Sequence, residues 1–171
     1  MNILILPGFS LKNRAWADET KFTLEKKGLV GVETYEWKHW QTGANDDFSS
    51  FKEAQMIINL IKDSQISIVA KSIGTLVACR ILSSIPSQIN KAVFCGIPLN
   101  DLTEEEKSAY EILDRIPQNR LTFIQNSDDS HGSHEEVGQF LGNIIPGKQI
   151  LEKESSTHEY AYYQEIYSYL K

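Results

Sequence analysis

Short apolar runs alternate with helix-patterned segments about six times along the chain. Asn2–Leu6 is almost wholly apolar and ends at Pro7-Gly8. Val30–Trp37 alternates in part, and Ile66–Ala70, Lys91–Cys95, Leu121–Gln125 and Lys148–Lys153 supply four more strand-like stretches. Strands buried on both faces read as such runs, because neither face meets water. Between them lie helical patterns. Asn13–Lys27 is closed by Gly28, and Phe51, Ala54, Ile58 and Ile61 repeat at 3, 4, 3 spacing after a polar loop at Gln41–Ser50. Ile73–Ser84 stops before Pro86, and Thr103 with Glu106 caps a helix running to Arg115 ahead of Pro117. Ser133 with Glu136 repeats that capping pattern ahead of Val137, Phe140, Leu141 and Ile144, and Tyr160–Leu170 closes the series. The alternation implies an α/β fold: a doubly wound, mostly parallel sheet of about six strands in a single domain over residues 1–171. In such sheets chemistry collects at the carboxyl ends of the strands.

Composition narrows the function classes. The 17 basic and 23 acidic side chains give a net charge of −6, which disfavours nucleic acid and anionic membrane surfaces as partners. Cys79 and Cys95 stand far apart, so neither a disulfide scaffold nor a zinc ribbon is available. The first apolar run is broken by Pro7-Gly8, too early for a signal peptide, and no run approaches the roughly 18 residues of a membrane span. A soluble, cytoplasmic protein is expected.

The segment Ala70-Lys71-Ser72-Ile73-Gly74 joins an apolar strand to an apolar helix, with small residues two before and two after the serine. A sharp strand-to-helix turn lifts a serine Oγ clear of the backbone and brings positions 70 and 74 close, where large side chains would clash. The plainer reading is a serine N-cap. Asp128 and Asp129 follow the strand Leu121–Gln125, and His158 follows Lys148–Lys153, so an acid and a base come to the same sheet edge in the order Ser, Asp, His. Gly8 permits a turn that aims the Phe9 N–H at the site, with the Ile73 N–H as a second oxyanion donor. Trp37, His39 and Trp40 follow the second strand, and Trp37 and Trp40 are candidate substrate-pocket walls. His131 and His134 read as histidines of a helix start, with no metal site assigned.

These residues resemble the α/β-hydrolase superfamily, in particular its small single-domain serine hydrolases. The marks are Leu6-Pro7-Gly8-Phe9, Ala70-Lys71-Ser72-Ile73-Gly74, the stretch Gln125–Gly132 and Thr157-His158-Glu159. The resemblance implies Ser72 as nucleophile, Asp129 as acid, His158 as base and Phe9 and Ile73 as oxyanion donors. It implies an acyl ester, thioester or amide as a small-molecule substrate, and no cofactor. Alanine replaces the first elbow glycine, the oxyanion motif lacks its histidine, and the short chain leaves little or no cap over the site. Asp129 is preferred over Asp128 by register, counting three residues on from Asn126, which takes the place of the family's turn glycine and tolerates positive φ. Two rival readings are a non-catalytic interaction module on the same fold and a nucleotide-binding module. The latter wants a glycine-rich phosphate loop, and Pro7–Leu11 holds one glycine.

Overall fold

The computed structural model describes residues 2–43 and 48–171. Six parallel strands form one sheet in the order β2-β1-β3-β4-β5-β6. They span Asn2–Leu6 (β1), Val32–Thr34 (β2), Ile66–Lys71 (β3), Ile89–Cys95 (β4), Leu121–Asn126 (β5) and Leu151–Lys153 (β6). The helices are Asn13–Lys26 (α1), Lys38–Thr42 (α2), Ser50–Ile61 (α3), Ile73–Ser84 (α4), Glu104–Ser108 (α5), His134–Ile144 (α6) and Tyr163–Leu170 (α7).

Side chains that alternate along each strand feed two cores, one on each face of the sheet. Leu6, Ile68, Ala70, Phe94 and Phe123 pack with the buried faces of α3, α4 and α6. Ile3, Ile5, Val69, Val93, Cys95 and Ile124 pack with Trp16, Ala17 and Leu24 of α1 and with Ile166 and Leu170 of α7. All six residues of β3, a central strand, are buried. Both capping boxes form: Thr103 and Ser133 each accept from the amide three residues on, and Glu106 and Glu136 reach back.

Several boundaries differ from the sequence reading. The second strand shrinks from Val30–Trp37 to three residues, because Trp37 turns out of the sheet to start α2. The helix expected from Thr103 to Arg115 is α-helical only to Ser108 and tightens into 3₁₀ turns over Ala109–Arg115. Tyr110 and Leu113 are buried there, so this crossover between β4 and β5 packs onto the core rather than standing over the sheet edge as a lid. The polar loop at Gln41–Ser50 is described only in part, since residues 44–47 lie outside the described residues.

Candidate active site at the carboxyl edge of the sheet

A single residue, Ser72, separates β3 from α4. Its amide extends the ladder by donating to Cys95 O at 3.0 Å, while its carbonyl accepts from the Thr75 amide at 2.9 Å and opens the helix. One residue can serve strand and helix together only by an abrupt change of direction. Ser72 accordingly adopts φ 55°, ψ −127°, a region that costs a non-glycine residue about 1–3 kcal/mol. The Thr75 hydroxyl braces the turn, lying 2.6 Å from both Ser72 O and the Tyr110 hydroxyl. Gly74 is required by closeness: a Cβ there would strike the Leu6 carbonyl oxygen and lie 2.8 Å from that of Pro7. Both obstacles are backbone and cannot rotate away. Gly74→Ala is therefore expected to cost about 2–3 kcal/mol of stability, read as a lowered midpoint in urea.

Asp129 and His158 meet across the sheet edge, with Nδ1–H donating to Oδ2 at 2.6 Å. The acceptor is a carboxylate, so the ring proton belongs on Nδ1 and Nε2 carries the lone pair. That Nε2 is buried and has no hydrogen-bond partner among the described residues. A Ser72–His158 hydrogen bond is thus not formed. Asp128 is exposed and uses its amide on Ser155 O.

Asp129 is 2% exposed and receives two further donors, the Tyr160 hydroxyl at 2.6 Å and the His131 amide at 3.0 Å. Burial pushes its carboxyl up, but the hydrogen bonds from His158, Tyr160 and the His131 amide outweigh that and hold it below its ordinary value. A depressed folded value means that the unfolded chain takes up this proton first. The stability that Asp129 contributes is present at neutral pH and is lost as pH falls through the folded value. Unfolding free energies measured from pH 7 down to pH 3 are expected to fall less steeply in Asp129→Asn than in the wild type.

Three supports of this site carry no motif in the sequence. Asn126, expected to turn the chain at positive φ, is instead the last residue of β5; among the described non-glycine residues only Lys62 and Ser72 have positive φ. Its side-chain amide donates to Thr157 O at 2.7 Å and Glu159 O at 3.0 Å, clasping the loop on both sides of His158. Tyr160 is fully buried, and Gly96 (φ 64°) leaves room for its ring, where a Cβ would collide. His131 lies with its ring centroid 4.4 Å from that of His158, and its Nδ1 is 2.6 Å from Asp101 Oδ2. His134 faces elsewhere, towards Glu152 and Ile150 O.

The loop after β1 is held by rings. Trp37 Nε1 donates to Gly8 O at 3.0 Å, and His39 Nε2 and Trp40 Nε1 both donate to Phe9 O, at 2.8 and 2.7 Å. Gly8 O and the Phe9 N–H belong to one trans peptide plane, so pinning the carbonyl towards Trp37 points the N–H the opposite way. Trp37, expected as a pocket wall, is fully buried and cannot line one; it fixes the orientation of that peptide. Trp40 is half-buried and likewise spends its polar atom on the loop. Ile73 is the first residue of α4, where an N–H has no intrahelical acceptor.

No protein-family model and no curated protein matches the chain. Solved structures do. A CIB-like hydrolase from Thermoplasma acidophilum matches with a TM-score of 0.68 and 16% identity, over 98% of this chain and 82% of that one. Mouse alpha/beta hydrolase domain-containing protein 10 gives 0.65 and 11% identity, over 99% of this chain and 87% of the other. A lidless serine hydrolase from Xanthomonas campestris gives 0.58 and 11%, over 92% and 72%. No described helix is long and apolar enough to cross a membrane. The parallel six-stranded sheet and these superpositions together identify the architecture: the chain has the α/β-hydrolase fold, in a minimal form.

Proposed function

We propose that the protein is a serine hydrolase that cleaves small acyl esters, thioesters or amides through an acyl-enzyme. The observation that carries this reading is a strained serine at the β3–α4 junction on the same sheet edge as a half-buried His158 that is held by the buried Asp129 and keeps its second nitrogen unpartnered among the described residues. Strain of this kind persists only where surrounding structure enforces it, and it clusters at reactive positions. Ser72 Oγ attacks the carbonyl carbon and His158 Nε2 takes its proton. The C–O, C–S or C–N bond to the leaving group then breaks, and His158 returns the proton to that group. Water repeats the sequence on the acyl-serine, releasing the acid and restoring Ser72. Asp129 holds the imidazole in the Nδ1–H tautomer and stabilises the imidazolium, and Tyr160 and the His131 amide keep that carboxylate ionised. The Phe9 and Ile73 amides serve the oxyanion. Every step uses groups of the chain and water.

A fluorophosphonate probe is the direct test. A covalent adduct located at Ser72 by peptide mass supports the reading, and an unlabelled protein favours a non-catalytic role on the same fold. Chain-length preference follows from the fold. The β4–β5 crossover contributes only five α-helical residues and packs inward, which leaves no lid among the described residues to bury a long acyl chain. Butyrate esters are expected to turn over faster than palmitate esters in a matched p-nitrophenyl series, and the opposite order would contradict an open site.

A further inference from the structure

Lys71 is the only buried lysine or arginine among the described residues, and it immediately precedes Ser72. It lies on the α1 face of β3. Its Nζ donates to Asn13 Oδ1 at 2.7 Å, sits 5.7 Å over the Trp16 ring, and stands 3.7 Å from Glu159 Oε2. That last distance is an ion pair but not a hydrogen bond, and the Glu159 side chain is 77% exposed. An ammonium has three donors, and here one is engaged at close range. Desolvation lowers the Lys71 pKa, with Glu159 acting against it. A buried cation whose one paired carboxylate lies beyond hydrogen-bond distance and is largely exposed is costly, and a neutral side chain could tie α1 to β3 without that cost.

The charge opens onto a cavity of about 400 Å3 between α1 and the His158 loop, whose walls include Lys12, Trp16, Glu19, Lys71, His158 and Glu159. Of the two carboxylates, Glu19 is engaged by the Tyr163 hydroxyl at 2.6 Å, which leaves Glu159 as the movable counter-ion. The cavity shares the His158 wall with the site described above, and the Cα of Lys71 adjoins that of Ser72 at about 3.8 Å. Its volume lies at the small end of ligand-binding pockets and accommodates part of a small-molecule substrate. We propose that this cavity receives a carboxylate carried by the substrate, with Lys71 as its counter-ion and Glu159 as the group displaced, so that the preferred substrates are half-esters or similar acyl compounds bearing a free carboxylate. The inference rests on the hydrolase reading for the reaction, but not for the binding.

Binding is therefore measured without turnover. The Ser72→Ala protein is titrated calorimetrically with monoethyl succinate and with uncharged diethyl succinate. The half-ester is expected to bind at least about tenfold more tightly. Adding Lys71→Met should remove that advantage, whereas adding Glu159→Gln should enlarge it about threefold by removing the competing carboxylate. If the Lys71 variant does not fold, the exposed Glu159 position decides. Equal binding of the two esters, no binding of either, an advantage that survives Lys71→Met, or one unchanged in Glu159→Gln would each overturn the proposal. Selective binding of the half-ester with no hydrolysis by the wild-type protein would leave the subsite standing and remove the hydrolase reading instead.

Discussion

Replacing Ser72 with alanine is expected to lower kcat/KM for a short-chain ester by about 10⁴–10⁶, to the residual rate that oxyanion donors and binding provide. The fold should survive. Ser72 makes its structural hydrogen bonds through its backbone, by donating to Cys95 O and accepting from Thr75, and alanine keeps both. Alanine also keeps the strain, because φ 55° disfavours any residue with a Cβ. Glycine would relieve it. Ser72→Gly should therefore be as inactive as Ser72→Ala yet more resistant to denaturant, by up to about 1 kcal/mol once the added freedom of the unfolded chain is counted. A Ser72→Gly protein less stable than Ser72→Ala by the about 0.4–1 kcal/mol that unfolded-chain freedom alone costs would mean that the junction stores no strain. Activity retained within tenfold in either would move the nucleophile elsewhere.

Asp129→Asn is expected to cut turnover by about 10⁴, and Asp128→Asn to change it less than twofold. The isosteric amide cannot accept the His158 Nδ1–H, the Tyr160 hydroxyl and the His131 amide as a carboxylate does, and its NH2 group would face a donor. The imidazole would then lose the tautomer that leaves Nε2 free. Asp128 is exposed and touches the site only through its backbone, where substitution of the side chain changes nothing. The reverse order of effects would transfer the acid's role to Asp128. Kinetic assays of both variants with the same ester, with folding checked by circular dichroism, settle the assignment.

The central strands were legible because burial on both faces leaves short apolar runs, at Ile3–Leu6 in β1, Ile68–Ala70 in β3 and Ala92–Cys95 in β4. The junction at Ser72 was legible for a local reason, since the constraints on positions 70 and 74 act within five residues. The expectation of Asp129 rested on a mistaken intermediate: Asn126 does not turn the chain at positive φ but clasps the His158 loop through its side chain. Its partners are 31 and 33 positions away, and no periodicity reports a contact of that range. Tyr160 and Trp37 were opaque for the same cause. An aromatic residue near a strand end looks alike whether it lines a pocket or holds a carbonyl, and only the folded chain separates the two. The second strand was overestimated because β-propensity continues through Trp37, whereas the last bond to β1 is the Tyr35 amide to Ile5 O and Trp37 already caps α2.

The two border strands of the sheet bear on how copies of the molecule meet. β2 and β6 each have three residues, and each carries a glutamate at its centre, Glu33 and Glu152, with an exposed side chain. A row of unpaired backbone groups invites sheet extension by a neighbouring chain, and three residues offer a short row. If either border paired antiparallel with its own counterpart about its midpoint, the central carboxylate would face the same carboxylate across the seam, and like charges directly opposite repel. Self-pairing at either margin is thereby disfavoured, which opposes growth of the sheet into a continuous intermolecular ribbon.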